Sequence, residues 1–519
     1  MKKIFIFMII SLLMFSCAKQ EKKASDVTEV VFWQAMGGPL GDALHILVEE
    51  FNDTHPDIHI TSINMGNYTA LSQKLMASIQ TGNQPNVAQA FEAWTTNMAK
   101  GDVLVPMDDF IEEDTDFGED DLADFYPVFI KCNTIDGKLL SFPFNKSVRV
   151  LYYNKDIFFQ NGFDPNKPPT TWDDFRTYCQ KLTLDKNGDG KIDQFGTTLR
   201  ISAWQFENLL LQAGGEIMSP DEKTPLFNSE KGVLALNFLN DLLNVDKTAY
   251  LSPGYDGQND FLASKLAMYE DSSVSISYME RLGVDFNIGV TAIPIKDTRK
   301  NIISGTNVVI FKSEDKKKEK AAWEFVKWFT DTEQTAKWSE LTYYMPVRKS
   351  AFQVEALQER LKNKPESASV YEQLNYATFE PQISEWFETR SYIEEHVIEK
   401  VLRGILTPKQ ALDKAAKKIS DMIAERDEKP KKKTSTYTNN ELLILYDSGI
   451  LKKIKIDYNE AWVNPHIWNE LEYDIKVGIG ITLAKICDQA GSGGRITFYD
   501  NKTGKKLARY SQSWGYKSY

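Results

Sequence analysis

The order of strand and helix patterns near the start of the chain constrains the fold most strongly. Residues 28–33 form a short β-rich run, and residues 57–63 alternate as a second strand. An amphipathic helix pattern follows each of them, with apolar residues repeating at helical spacing over 44–51 and over 71–79. The order strand, helix, strand, helix predicts an α/β fold with a largely parallel sheet.

The same mixture of elements continues to about residue 425. Thr171 is placed to cap a helix that carries two Asp residues in its first turn. Residues 302–311 predict a largely apolar strand, and residues 321–338 predict one long helix. Two more helices are expected near 391–404 and 408–425. Together these patterns predict one large mixed body.

The first seventeen residues predict export. Lys2 and Lys3 precede an apolar run over 4–15, which is shorter than the ~20 residues that span a bilayer. We interpret 1–16 as a signal peptide. Cys17 directly after it favours a lipidated N-terminus with a tether over 17–27, although ordinary signal cleavage stays open. The chain is therefore expected in the cell envelope, on the periplasmic or extracytoplasmic face of a membrane.

The end of the chain differs from the rest in charge. Residues 431–519 hold 14 Lys and Arg against 9 Asp and Glu, within a chain whose net charge is −12. The acidic total argues against nucleic acid as a partner. A charged stretch with a proline predicts a linker over 428–436. Residues 437–519 predict a small α+β module with a helix over 466–488 and a hairpin near 496–510, whose role stays open between protein interaction, envelope binding and a fusion without a transport role.

Metal-binding patterns are few. Cys132, Cys179 and Cys487 have no CxxC or Cys/His spacing, so one disulfide among them is compatible with the sequence but its pairing is open. One acidic loop matches several positions of an EF-hand calcium loop but has Gly196 where a bidentate Glu belongs. The predicted ligands of a structural calcium ion are Asp185, Asn187, Asp189, Lys191 through its carbonyl, and Asp193. The alternative is a turn rich in Asp, Asn and Gly.

A long ordered motif resembles a known family. Residues 137–145 run into 150–158, followed by Gly162 and the helix start over 168–175. Shorter matching stretches lie at 32–33, 81–85, 344–348 and 407–412. Together they are similar to the extracellular solute-binding proteins of family 1, which are lipoprotein or periplasmic receptors of ABC importers for sugars. The resemblance covers about 28–427.

The resemblance implies a two-lobe, type II-like fold of the periplasmic-binding-protein kind. Its ligand would lie in a cleft between two α/β lobes that are joined by a hinge, and the chain would cross between the lobes more than once. The implied partners are a small-molecule ligand, the permease subunits of an ABC importer and a membrane reached through the lipid anchor. Catalysis and a cofactor are not required.

Within this family the closest resemblance is to receptors for glycerol 3-phosphate. It implies eight ligand-contacting residues, which are Tyr68, Glu92, Ser147, Trp172, Ser272, Gly305, Tyr344 and Arg390. A phosphate favours a guanidinium and hydroxyl donors, and glycerol hydroxyls favour a carboxylate. Each residue also has an ordinary structural interpretation: Trp172 lies on the apolar stripe of its helix, and Gly305 suits a special backbone geometry.

Three departures leave other ligands and functions open. Lys146 and Met345 differ from the glycerol 3-phosphate pattern, and the stretch 347–350 is more typical of sugar receptors. A sugar would find stacking partners among Trp33, Trp94, Trp172, Trp204 and Trp386. The alternative from another class is a secreted glycoside hydrolase or phosphodiesterase that uses acidic pairs such as Asp108-Asp109 and Asp120-Asp121.

Overall fold

The computed structural model describes residues 27–428, 445–446, 448–455, 458–489, 494–511 and 515–518. The chain divides into two compact units, 1–425 and 426–519. The predicted signal peptide, Cys17, nearly all of the tether and most of the linker lie outside the described residues. Within the described part, no helix combines the length and the apolar character needed to span a membrane.

The first sheet of the large unit has five strands. These are β1 (Thr28–Gln34), β2 (Ile58–Asn64), β3 (Val87–Ala90), β6 (Phe142–Pro143) and β11 (Asn307–Ile310), in the order β2-β1-β3-β11-β6. β1 pairs in parallel with β2 and β3, as the strand–helix alternation predicts. β11 is antiparallel to both of its neighbours, so the sheet is mixed.

The second sheet of the large unit is antiparallel, which the prediction of a largely parallel fold did not anticipate. It consists of β7 (Arg149–Asn154) between β8 (Met268–Ser272) and β9 (Ile288–Ala292). All six residues of β7 are buried, because both faces of this central strand are covered. Two short strand pairs complete the unit, β4 (Thr134–Ile135) with β5 (Lys138–Leu139), and β10 (Asn301–Ile302) with β12 (Ala377–Thr378).

Helices cover both sheets. Those connecting or packing on the first sheet are α1 (Gly38–Thr54), α2 (Tyr68–Thr81), α3 (Glu92–Lys100), α4 (Met107–Glu113), α5 (Glu119–Asp124), α6 (Pro127–Asn133), α13 (Lys316–Phe329) and α14 (Thr332–Thr342). Between them and around the second sheet lie α7 (Lys155–Gln160), α8 (Trp172–Leu182), α9 (Ala203–Gln212), α10 (Glu230–Asn240), α11 (Asp256–Leu262) and α12 (Ser275–Leu282). The last part of the unit holds α15 (Glu355–Asn363), α16 (Ala368–Glu372), α17 (Trp386–Ile393), α18 (Glu399–Leu402) and α19 (Pro408–Glu428). The predicted stripe of α19, from Leu412 to Ile423, is buried against α10 and its neighbours.

Two predicted elements of this unit are interrupted. The strand expected over 302–311 is split into β10 and β11, because Gly305 adopts a φ of +108° between them. The helix expected over 321–338 is two helices, α13 and α14. Asp331 starts the second, since its side chain accepts a hydrogen bond from the Thr332 backbone N–H at 2.8 Å.

The smaller unit is an α+β module. Its sheet has the order β13 (Leu451–Lys455), β14 (Glu460–Val463), β15 (Arg495–Asp500), β16 (Lys506–Ser511) and β17 (Gly515–Ser518). The predicted hairpin is present as β15 and β16. The helix expected over 466–488 is two helices, α20 (Pro465–Glu470) and α21 (Tyr473–Gln489), and α21 covers one face of the sheet.

The three cysteines within the described residues are free thiols. Cys132, Cys179 and Cys487 are all buried, and none of these three forms a disulfide. Burial raises the pKa of the Cys487 thiol to about 11 and raises the pKa of the other two thiols as well. Each therefore serves as a small apolar core residue.

Candidate functional site

Segments 144–148 and 303–306 connect the parts built on the two sheets of the large unit, and segment 343–345 packs against the first of them. All three carry predicted ligand residues, and we call them the crossing segments. Ser147 and Ser304 pair across two of them through backbone hydrogen bonds of 2.9 Å in both directions. The Met345 N–H donates to the Lys146 carbonyl at 2.6 Å, which holds the third segment against the first. Ser147, Gly305 and Tyr344 thus lie side by side at the hinge.

Asn145 connects all three crossing segments through its side-chain amide. Its Oδ1 accepts hydrogen bonds from the Thr306 N–H at 2.7 Å and from the Thr306 hydroxyl at 2.6 Å. Its Nδ2 donates to the hydroxyls of Tyr68 and Tyr344, both at 3.0 Å. Burial raises the pKa of both phenols. Two predicted ligand residues, Tyr68 and Tyr344, therefore meet at Asn145. This asparagine belongs to the matching sequence motif but is not one of the predicted site residues.

Gly305 is required by the backbone of this hinge. A Cβ atom at residue 305 would lie 1.8 Å from the Asn145 carbonyl oxygen, in addition to the strain of its positive φ. We expect Gly305→Ala to lower the free energy of unfolding by about 3 kcal/mol. Gly66→Ala is the matched control, because Gly66 has a similar φ of +101° but no atom within 4 Å of the added Cβ. Equal losses in urea unfolding of the two variants would contradict the steric explanation.

Glu92 begins α3 directly after β3 and is paired with a buried lysine. Lys146 Nζ donates to Glu92 Oε1 at 2.8 Å, and Asn307 Nδ2 donates to the same oxygen at 3.1 Å. The Lys146 side chain is 1% exposed. Burial would raise the pKa of the Glu92 carboxyl, but Lys146 and the hydrogen bonds outweigh it, so the pKa is lowered. Lys146 therefore keeps Glu92 ionised. Lys146 is also one of the residues that differ from the glycerol 3-phosphate receptor pattern.

Arg390 lies on α17 within a cluster of carboxylates. Its Nη1 is 3.3 Å from each oxygen of Glu380, and it donates a hydrogen bond to Oε2. Burial would lower the pKa of the guanidinium, but Glu380, Glu207 and Glu394 raise it. Glu207 on the buried helix α9 is 1% exposed, and neither of its carboxyl oxygens has a hydrogen-bond partner among the described residues. Glu207 and Glu380 are not among the site residues predicted from the sequence.

The protonation of Glu207 gives a pH-dependent prediction. Its pKa is raised well above 4.5, first by burial and then by the Glu380 charge. The folded protein therefore holds a proton that the unfolded chain releases once the pH exceeds 4.5, so this residue lowers stability as the pH rises above that value. We expect Glu207→Gln to become more stable relative to the parent between about pH 5 and pH 8 in thermal unfolding. The exposed Glu388→Gln should show no such trend, and a parallel pH profile for Glu207→Gln and the parent would refute the assignment.

Glu92 and Arg390 line the same small cavity, together with Glu380 and Phe387. The cavity volume is about 10 Å³, which has room for at most one water molecule. Phe91, Trp94 and Phe387 pack around it with ring centroids 5.0 to 5.9 Å apart. The conformation described here therefore brings a carboxylate and a guanidinium from different parts of the fold together but leaves no space for a ligand between them.

The remaining predicted ligand residues occupy separate positions. Ser272 ends β8, and its carbonyl accepts a hydrogen bond from the Tyr152 hydroxyl at 2.7 Å. Trp172 is 2% exposed; its ring stacks on Phe238 at 4.5 Å and its N–H donates to Gln212 at 2.9 Å. This arrangement favours the alternative interpretation of Trp172 as a core residue, and its stacking on a ligand stays a prediction.

A much larger cavity of the large unit has none of the eight predicted residues in its lining. Its volume is about 710 Å³, and it lies beside the crossing segments, where Ser273, Tyr343 and Met345 line it next to predicted residues. Glu280 occupies its rim, bonded to the Tyr343 hydroxyl at 2.8 Å and to Lys364 at 3.0 Å. The charges at this rim are thus paired with each other.

The acidic loop is closed by its own backbone. Asp185 accepts hydrogen bonds from the N–H groups of Gly188 at 2.7 Å and Gly190 at 2.8 Å, and these groups lower the pKa of its carboxyl. Asp193 accepts from the Lys186 N–H at 2.8 Å. In the described ranges, no group of three or more His, Cys, Asp or Glu residues is placed to hold a metal ion. Calcium in this loop stays a prediction.

One carboxylate in each acidic pair considered for catalysis has structural partners. Asp108 accepts a hydrogen bond from the Leu139 N–H at 2.7 Å. Asp121 accepts from the Gly118 N–H at 3.1 Å at the start of α5, and it pairs with Arg348 at 3.1 Å. Asp108 therefore has a structural role in the first turn of α4. Asp121 has a structural role at the start of α5 and in its ion pair with Arg348.

Two lobes joined by crossing segments, with a polar cluster where the segments meet, are the architecture of a solute receptor. The chain belongs to the bacterial extracellular solute-binding protein family, whose model matches residues 47–366. This confirms the resemblance to solute-binding proteins and the two-lobe fold.

Relatives and solved structures agree with this assignment. The chain is 28% identical to the sn-glycerol-3-phosphate-binding periplasmic protein UgpB of Escherichia coli over 416 residues, which cover 77% of this chain and 93% of the relative. UgpB of Mycobacterium tuberculosis, solved in complex with glycerophosphocholine, superposes with a TM-score of 0.66 at 22% identity, over 77% of this chain and 99% of that one. The cyclic alpha-maltosyl-1,6-maltose binding protein of Arthrobacter globiformis gives a TM-score of 0.66 at 25% identity, over 77% and 100% of the two chains.

Proposed function

We propose that this chain is the receptor of an ABC importer and captures sn-glycerol 3-phosphate or a glycerophosphodiester between its lobes. The observation that carries the proposal is that Arg390 and Glu92 line one cavity from different parts of the fold. A guanidinium presents a fork of donors that matches phosphate oxygens, and a carboxylate accepts hydrogen bonds from glycerol hydroxyls. The names of the UgpB relatives support the same ligand class.

In this proposal, ligand binding replaces the internal partners of Arg390 and Glu92 with groups of the ligand. In the conformation described here, Glu380 neutralises Arg390 and Lys146 neutralises Glu92. When the lobes separate and the site widens, a phosphate takes over the Arg390 donors, while the glycerol hydroxyls share Glu92 and the Tyr68 and Tyr344 hydroxyls. Because a ligand stabilises only the conformation that it contacts better, such bridging shifts the lobes toward the ligand-bound arrangement.

The remaining elements of the proposal concern partners and location. Permease subunits recognise the ligand-bound arrangement, and other proteins hydrolyse ATP. Acylation at Cys17 holds the receptor at the extracytoplasmic face of a membrane. The receptor performs no catalysis and requires no cofactor, and calcium in the 185–193 loop is a structural addition at most.

Isothermal titration with separate ligands tests the proposal. We expect saturable one-to-one binding of sn-glycerol 3-phosphate or glycerophosphocholine, and much weaker binding of glycerol and inorganic phosphate alone. Absence of binding by both phosphate-containing compounds would overturn the ligand assignment. Product formation during the same incubation, followed by phosphorus NMR, would favour the phosphodiesterase alternative instead.

Oligosaccharides belong in the same titration because the sugar alternative is open. Four of the five tryptophans considered for sugar stacking, Trp94, Trp172, Trp204 and Trp386, are at most 8% exposed. Flat sugar faces are expected to need an accessible aromatic ring, so we expect maltose and maltotriose to bind more weakly than the phosphate compounds. Tighter binding of either sugar would contradict the phosphate assignment.

A further inference from the structure

Among the described residues of the smaller unit, the helices pack on one face of the sheet and leave the opposite face without a covering helix. On the covered face, Ala461, Phe498 and Ala508 lie in register and are fully buried against α21. Alternate residues therefore point to the opposite face. The residues in register on that face, called here the cationic face, are Lys453 and Lys455 on β13, Trp462 on β14, Arg495 and Tyr499 on β15, Arg509 on β16 and Lys517 on β17.

The charge of this face is strongly one-sided. Six Lys and Arg residues lie at its paired positions, because Lys506 pairs with Tyr499 in addition to the five named above, and Glu460 is the one carboxylate among its paired β13–β17 positions that the structure describes. Lys453, Lys455 and Lys517 are exposed. Cations on four of the five strands present a broad positive surface, whereas scattered surface lysines are usually interspersed with acidic residues. Such a surface is complementary to an extended anionic partner.

Aromatic rings lie among these cations. Lys453 Nζ and Lys455 Nζ are 5.2 and 5.3 Å from the centroid of the Trp462 ring, and Tyr499 stacks on that ring at 5.5 Å. Tyr458, in the connection from β13 to β14, is 72% exposed and lies 5.6 Å from Lys455 Nζ. Tyrosine and tryptophan are enriched at the membrane–water interface, where the ring contacts the apolar layer and the polar group stays hydrated.

We propose that the cationic face binds the anionic headgroup surface of a lipid bilayer, with Tyr458 inserting at the interface. A five-stranded sheet face presents its cations side by side to an extended surface, and each lysine or arginine near such a surface adds to the electrostatic attraction. Single-stranded nucleic acid is the alternative for a basic sheet with aromatic residues, but it needs open ring faces on which bases stack. The Trp462 ring is already in contact with two lysines and Tyr499, so the bilayer is favoured. This proposal is independent of the ligand-binding site of the large unit.

Vesicle sedimentation of the chain from residue 18 onward tests this inference, because this chain retains both compact units but cannot be acylated at Cys17. We expect it to sediment with vesicles of equal parts phosphatidylcholine and phosphatidylglycerol and not with phosphatidylcholine alone. The double variant Lys453→Gln/Lys455→Gln should bind the anionic vesicles about 30-fold more weakly. Lys502→Gln/Lys505→Gln, in the exposed turn between β15 and β16, removes the same charge and should lose less than about threefold.

Two further measurements separate a loss of vesicle binding by the cationic face from a loss of folding. Thermal unfolding shows whether both double variants remain folded, and Tyr458→Ser tests the same face without a change of charge, with an expected loss of about fivefold. Equal losses in the two double variants, or equal binding to neutral vesicles, would overturn the proposal. Displacement of the chain from anionic vesicles by a single-stranded oligonucleotide or by hyaluronate at stoichiometric amounts would assign the face to that polyanion instead.

Discussion

Replacing Arg390 by alanine is expected to weaken the binding of sn-glycerol 3-phosphate about a thousandfold. Arg390 supplies the guanidinium that faces the cavity shared with Glu92, while Glu380 and Glu207 lie beside it. Without the arginine, an anionic phosphate would face these carboxyl groups with no cation on α17 to offset them. Isothermal titration measures the effect directly, and the affinity for uncharged glycerol should change little.

Two further variants separate a binding role from a structural one. Arg390→Lys keeps the charge but removes the fork of donors, so we expect an intermediate loss of about thirtyfold. Arg403→Ala removes an arginine of the same unit that pairs on the surface with Glu399 at 2.7 Å, and its affinity should match that of the parent. A parental affinity for Arg390→Ala would remove Arg390 from the site.

Replacing Asn145 by alanine is expected to lower the free energy of unfolding by about 4 kcal/mol. The substitution deletes four hydrogen bonds at once and leaves the Thr306 N–H, which belongs to a fully buried residue, without its acceptor. The hydroxyls of Tyr68 and Tyr344 lose the donor that positions them, so ligand affinity should fall together with stability. Urea unfolding and titration on the same preparation measure both effects.

Asn228→Ala is the control for this prediction. Asn228 donates one exposed hydrogen bond to Asp413 at 3.0 Å, so its loss should cost less than about 0.5 kcal/mol. If Asn145→Ala were as stable as Asn228→Ala, the amide of Asn145 could not be what holds the crossing segments together. A stable Asn145→Ala with reduced affinity would instead limit its role to positioning the tyrosines.

The sequence predicted those parts of the fold in which local pattern and tertiary context agree. The elements from β1 to α2 follow directly from apolar spacing, and Thr171 caps α8 through a hydrogen bond from the Asp174 N–H, as expected. The strand over 302–311 and the helix over 321–338 were wrong as single elements. Gly305 and Asp331 end these runs through backbone geometry and capping, which apolar periodicity does not register.

The candidate site was predicted in part. The resemblance supplied Tyr68, Glu92, Tyr344 and Arg390, which the structure brings to the crossing segments or to the shared cavity. Asn145 was missed because its role depends on segments about 160 and 200 residues away in the chain. Glu207 had a usable signal, since a glutamate between Phe206 and Leu209 interrupts an otherwise apolar helix.

The position of β11 has a consequence for how the exported chain matures. This strand lies between β3 and β6 in the first sheet, yet it is synthesised after the whole second sheet. At about 5–20 residues per second, roughly 10–30 seconds separate the emergence of β6 from that of β11. Until β11 arrives, β3 has an open edge that is able to pair with another chain. The first sheet is therefore completed only after the whole second sheet has been synthesised.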